Sequence, residues 1–177
     1  RHRGFPGVVT LAPPHTVLKP AMKGLPLTLN SEMAVQGCYP ALRDRAEPIT
    51  HDFRILVQPF RPGGKEIIAG FSTEPQFGKL LMAGLGGIFV EVLKDVAIRL
   101  APITDAEAAE MLESLRSYKL LTGYRGETGV DLAALRELLL RLSQLAIDLP
   151  GLETLEINPL RADAAGIAVL DARAKLI

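Results

Sequence analysis

Between Asp131 and Asp148, Leu132, Leu135, Leu138, Leu139, Leu142 and Leu145 fall on one side of a helical turn. Glu137, Arg141, Gln144 and Asp148 fall on the other, so this stretch predicts a helix with one face on a core. A shorter helix starts at Thr104-Asp105-Ala106-Glu107, a capping box in which the Thr hydroxyl and the Glu carboxylate satisfy exposed amides reciprocally. It runs to about Arg116 with Ala108, Met111, Leu112 and Leu115 on one face. Between these helices and the N-terminal region the period changes. Phe53 to Phe60, Glu66 to Ser72, Leu80 to Gly84, Ile88 to Leu93 and Ala97 to Ala101 are β-rich runs separated by Gly, Pro and Thr-Glu-Pro. Their short connections predict a largely antiparallel sheet, since parallel neighbours need long crossovers. Gly63-Gly64 reads as a hairpin turn between two of them. Two last strands, about Leu152 to Leu160 and Gly166 to Asp171, flank the polar turn Ala162-Asp163-Ala164-Ala165.

The N-terminal region is rich in Pro and Gly. Val8 to Leu11 reads as a strand closed by Pro13-Pro14, and Leu25 to Leu29 as a second. Asn30 or Ser31 caps a helix running to about Ala46, with Glu32 in its first turn and Pro40 expected to kink or end it.

Composition narrows the classes. The 177 residues are 48% apolar, enough for a core and against wholesale disorder. Lys plus Arg and Asp plus Glu are each 20, so no net charge argues for nucleic acid. The longest uncharged apolar run, Leu80 to Val90, falls far short of the about 20 residues of a membrane span. The single cysteine, Cys38, forms no intrachain disulfide or cysteine zinc cluster and reads as packing, and His2, His15 and His51 have no metal-ligand spacing. Without a signal-peptide pattern the expected location is cytoplasmic. The opening Arg-His-Arg without Met reads as a fragment or excised domain.

Few residues suggest chemistry. Glu156 and Asn158 are two apart in a strand and share a face. If the hairpin centres on Ala164-Ala165, Asn158 stands across the ladder from Asp171, with Cβ atoms about 5 Å apart. An amide oxygen and a carboxylate so placed can share Mg²⁺, which takes oxygen ligands at about 2.1 Å and keeps room for phosphates and water. The plainer reading is that Glu156 and Asn158 are ordinary solvent-side residues, and a one-residue slip of register breaks the geometry. Gly84-Leu85-Gly86-Gly87 reads as a turn, with a phosphate-cradling loop as the alternative. Lys19, Lys23 and Arg61 are candidate phosphate contacts, or simply surface charges.

Residues 77–96 (Phe-Gly-Lys-Leu-Leu-Met-Ala-Gly-Leu-Gly-Gly-Ile-Phe-Val-Glu-Val-Leu-Lys-Asp-Val) with Arg-Leu-Ala-Pro at 99–102 closely resemble the ATP-grasp domain of the NDP-forming acyl-CoA synthetases. Leu-Ser-Gln-Leu-Ala at 142–146 and Glu-Ile-Asn-Pro-Leu at 156–160 add to the resemblance, which covers nearly the whole chain. The family includes ADP-forming acetate–CoA ligases. The ending Leu-Asp-Ala-Arg at 170–173 is similar to fusions of this synthetase with a GNAT acetyltransferase domain. The resemblance implies an α+β ATP-grasp fold of mainly antiparallel sheets with helices, in two subdomains that grip ATP. Residues 1–57 would be a partial N-terminal subdomain and 58–177 the C-terminal one with the metal-binding hairpin.

It also implies roles. Asn158 and Asp171 match the magnesium ligands, with Glu156 beside them; Gln58 falls where the purine edge is read, and the backbone at Val57 would bond adenine. Glu66 matches a nucleotide-contacting glutamate. Mg²⁺ and ATP or ADP are the implied cofactors, and a CoA-binding domain or subunit the implied partner, with no nucleic acid and no membrane. The N-terminal stretch departs from the family. Gly-Phe-Pro-Gly-Val-Val-Thr at 4–10 puts Thr10 where relatives have the lysine that holds ATP phosphates. Leu-Lys-Pro-Ala-Met-Lys-Gly-Leu at 18–25 puts Leu18 where they have the phosphoryl-accepting histidine, while Lys19 and Gly24 persist. The implied activity is acid–thiol ligation with ADP formation, with this chain alone expected to be inactive. The alternative is a non-catalytic or regulatory ATP-grasp module of an acetyltransferase fusion.

Overall fold

The computed structural model describes residues 7–12, 29–48, 54–87, 90 and 92–177. The chain divides into two compact units, Arg1–Pro62 and Gly63–Ile177. The division falls beyond the 57/58 boundary expected from sequence. The reason is that β2 (Arg54–Pro59) pairs antiparallel with β1 (Gly7–Ala12) along its whole length and goes with the first unit.

In that unit α1 (Glu32–Ala46) is capped by Ser31, whose hydroxyl accepts from the Ala34 N–H, and it carries Glu32 in its first turn. Pro40 lies inside α1 and does not end it. Leu29, Cys38 and Leu42 are buried. The expected strand over 25–29 lies outside the described residues except for Leu29 and is not taken further.

The second unit is one antiparallel sheet with helices on one face. Its strands are β3 (Lys65–Glu74), β4 (Gly78–Leu85), β5 (Val96–Leu100), β6 (Leu152–Asp163), β7 (Gly166–Val169) and β8 (Ala172–Leu176). The order is β5-β4-β3-β6-β7, with β8 also paired to β6. The helices are α2 (Asp105–Glu113), α3 (Tyr118–Thr122) and α4 (Leu132–Asp148). Both helix stripes read from sequence meet the sheet: Met111 of α2, Leu135 and Leu139 of α4, and Phe71 and Leu81 of β3 and β4 share one core. The capping box at Thr104 and Glu107 forms with both reciprocal bonds, and α4 is capped by Asp131. No helix among the described residues is long and apolar enough to cross a membrane.

Two expectations are corrected. The run Ile88 to Leu93 is not a strand where it is described: Val90 is helical and Val92 and Leu93 turn. The Val90 N–H donates to Gly87 and the Lys94 N–H to Val90, each at 3.2 Å. β5 is already the antiparallel neighbour of β4, so the intervening residues only have to return the chain. Asp95 pins that return by accepting from the N–H groups of Arg116 and Ser117 at 2.9 and 2.8 Å. Gly63-Gly64 is no hairpin turn either. The strands it separates belong to different sheets, and both glycines hold φ +72°, a conformation that favours glycine.

Candidate functional site

The hairpin of β6 with β7 and β8 carries the predicted metal pair. Asp163 pairs with Gly166 and Leu160 with Val169, and the same register resumes at Ile157 with Ala172 and Glu156 with Arg173. Asn158 therefore stands opposite Asp171, the register expected from the turn. The Asn158 N–H donates to the Asp171 carbonyl at 3.0 Å, and the Leu170 N–H to the Pro159 carbonyl at 3.1 Å. Leu170 and Asp171 interrupt the return arm between β7 and β8.

The interruption coincides with a β-bulge. On the other side of β6, Ile67 pairs with Leu160 but Ala69 with Ile157, so Asn158 and Pro159 together oppose Ile68. A proline has no N–H for the ladder and sits inside a central strand only at such a point. The bulge thus accommodates Pro159, with the Asn158 side chain beside it. Asn158 Nδ2 donates to Glu156 Oε1 at 3.1 Å. A carboxylate can only accept, so the amide must turn its NH₂ to Glu156 and its Oδ1 away. Asn158 is exposed, and Glu156 and Asp171 are half-buried.

The donor set tests the metal. Among the described residues no group of three or more His, Cys, Asp or Glu is placed to hold an ion. What the hairpin offers is one amide oxygen, one carboxylate opposite it and a second carboxylate orienting the amide. Oxygen-only donors that leave most of a coordination shell open fit Mg²⁺ carried with nucleotide phosphates, and do not fit a closed zinc site.

Glu66, at the start of β3, pairs across the sheet with Arg161 of β6. Arg161 Nη2 donates to Glu66 Oε1 at 3.0 Å. Gly86 follows β4 and packs on Glu66: its N–H donates to the Glu66 carbonyl at 2.7 Å, and a Cβ there would stand 3.1 Å from Glu66 Cβ. The Gly84 to Gly87 segment thus ends a strand against Glu66. Gly70 opposes Glu156, and a Cβ on it would meet the Leu155 carbonyl oxygen at 2.1 Å. Nothing local in the sequence marks Gly70 or Arg161, because the residues that give them their roles, Leu155 beside Gly70 and Glu66 beside Arg161, are more than 80 residues away.

The other predicted residues lie in the first unit. Val57 and Gln58 are half-buried in β2 opposite Val9 and Val8, and Arg61 is exposed beyond that strand. Thr10 belongs to β1 opposite Leu56. Leu18, Lys19 and Lys23 lie outside the described residues.

A two-unit antiparallel architecture with an oxygen-donor hairpin defines a class, and the sequence comparison gives it a name. The chain belongs to the ATP-grasp domain family, whose model matches residues 1–176. Within it, the chain is homologous to the β-subunit region of ADP-forming acyl-CoA synthetases. It is 38% identical over 172 residues to acetate–CoA ligase [ADP-forming] I of Archaeoglobus fulgidus, covering 96% of this chain and 25% of that protein. It is 34% identical over 173 residues to acetate–CoA ligase [ADP-forming] I subunit beta of Pyrococcus furiosus, covering 96% of this chain and 75% of that subunit. Among solved structures, the dinucleotide-forming acetyl-coenzyme A synthetase 1 of Ca. Korarchaeum cryptofilum, in complex with coenzyme A, Ca-AMPCP and HgCl+, superposes with TM-score 0.91 at 37% identity. That match covers 98% of this chain and 77% of the other. The resemblance to acetyltransferase fusions gains no support from these relatives.

Proposed function

We propose that this chain is the nucleotide- and Mg²⁺-binding part of an ADP-forming acyl-CoA synthetase, which converts acyl-CoA, ADP and phosphate to acid, ATP and CoA. The observation that carries it is the opposition of Asn158 and Asp171 across the bulged hairpin, with Asn158 Oδ1 turned out by Glu156. The Korarchaeum relative is described with a nucleotide analogue and a divalent cation, which supports nucleotide binding here.

Asn158 and Asp171 would hold Mg²⁺, which lends positive charge to the phosphate oxygens as phosphoryl transfer spreads negative charge over them. The rest falls to the chain itself. Glu66 accepts hydrogen bonds from the nucleoside; the Val57 backbone and Gln58 read the purine edge; Lys19 and Arg61 offer charge to the phosphates. CoA and the acyl group need a separate CoA-binding domain or subunit, since Asn158, Asp171 and Glu66 supply neither a thiol-binding surface nor an acyl pocket. Titration calorimetry of the chain with ADP, with Mg²⁺ and with EDTA, tests the reading. Magnesium-dependent ADP binding is expected, and its absence refutes the proposal.

A further inference from the structure

Arg161 takes no part in the metal pair, yet it is fixed more firmly than a surface arginine needs to be. Its Nη2 donates to Glu66 Oε1 at 3.0 Å, and its Nη1 to the carbonyls of Gly63 and Gly64 at 3.1 and 3.4 Å. The pair is only partly exposed, with 29% of the Arg161 side chain and 41% of that of Glu66 accessible. Both residues lie on the sheet face away from the helices, because their neighbours Ile67 and Leu160 point into the core. Glu156 and Asn158 share that face. From the far side Gly86 limits Glu66, and a Cβ on Gly87 would stand 3.6 Å from Glu66 Oε2. One carboxylate oxygen is thus committed to Arg161, and the other lies near Gly87, which itself carries no side chain.

We propose that Arg161 is a positioning residue: its forked guanidinium, braced on the Gly63 and Gly64 carbonyls, holds the Glu66 carboxylate ready to accept hydrogen bonds from the ribose hydroxyls of a nucleoside diphosphate. The proposal rests on the nucleotide-binding reading and deepens it. A carboxylate accepts and cannot donate, and it repels phosphate. Among the donors that a nucleotide offers, the two vicinal ribose hydroxyls suit a carboxylate acceptor. An unheld glutamate loses rotamer freedom when it binds; a braced one has lost it already. A lysine replaces the brace only in part, because its three ammonium donors lack the rigid planar fork that fixes the orientation of the carboxylate.

The test compares ADP with 2′,3′-dideoxy-ADP, both with Mg²⁺, by titration calorimetry on the full chain, with thermal melting to confirm folding. The wild type binds ADP more tightly than the dideoxy analogue. Arg161→Met lowers ADP affinity roughly 3- to 10-fold and leaves the analogue unchanged. Arg161→Lys, a milder change, loses part of the discrimination. In a Glu66→Ala background, Arg161→Met has no further effect, because no acceptor remains to position. Equal weakening of both nucleotides, an undiminished Arg161→Met effect in the Glu66→Ala background, or unchanged ADP affinity in both Arg161 variants overturns the positioning role. A wild type that binds no Mg·ADP overturns the nucleotide reading and this inference with it; one that binds ADP and the analogue equally overturns this inference alone.

Discussion

The backbone N–H of Asn158 donates to the carbonyl of Asp171 at 3.0 Å across the β6 hairpin. That bond sets an amide side chain opposite a carboxylate at a level where β6 carries a bulge and its partner arm is interrupted. The opposition is a matter of register, so it survives modest changes in the side chains around it and fails if the hairpin slips.

Asn158→Ala and Asp171→Ala should each lower Mg²⁺-dependent ADP affinity at least about tenfold, since each removes one of two protein oxygens from a shell otherwise left to water and phosphate. Folding stability should change little, because Asn158 is exposed and Asp171 half-buried. Titration calorimetry with and without EDTA checks this, and unchanged Mg·ADP affinity in both variants refutes the ligand assignment.

Gly70→Ala should destabilise the chain by about 1–3 kcal/mol. The added Cβ would meet the Leu155 carbonyl oxygen at 2.1 Å, so β3 and β6 must move apart at Glu156. Urea unfolding gives the stability, and nucleotide titration should show weaker Mg·ADP binding as Glu156 shifts beneath Asn158.

Asp95 links stability to pH. Burial pushes its carboxyl up, but hydrogen bonds from Ser117 and Arg116 outweigh burial and hold it below its ordinary value of 3.8. A depressed folded-state value means the contribution is complete above the ordinary carboxylate range and lost as pH falls through the folded value. Asp95→Asn leaves one acceptor oxygen for two N–H donors and should cost about 1–3 kcal/mol at pH 7. That gap should narrow on acidification. Urea midpoints of both proteins across acidic pH decide it, and a gap independent of pH refutes the role of the charge.

The chain by itself should form no ATP from acetyl-CoA, ADP and phosphate. Thioester chemistry needs CoA and the acyl phosphate held in near-attack geometry, and such positioning can supply about 7–11 kcal/mol of barrier reduction. A coupled assay on the purified chain tests this, and measurable turnover overturns it.

Local order was legible wherever its cause lies within a few residues. The α4 stripe, the capping box at Thr104 and Glu107 and the Ser31 cap depend on residues three or four apart, where helix geometry alone decides contact. The Asn158–Asp171 opposition was legible for the same reason, because a two-residue turn at Ala164 and Ala165 sets the register of everything beyond it. The Ile88 to Leu93 run shows the limit. It has strand composition, but β4 had already taken β5 as its neighbour and Asp95 draws the chain back to the Arg116–Ser117 turn. Gly63-Gly64 carries the hairpin signal, yet its conformation serves a junction between two sheets. The Arg161 brace on Glu66 and the requirement for glycine at 70 depend on β6 lying beside β3. Strand order is settled by how the whole sheet covers its helices, and the residues it brings together share no local pattern along the chain.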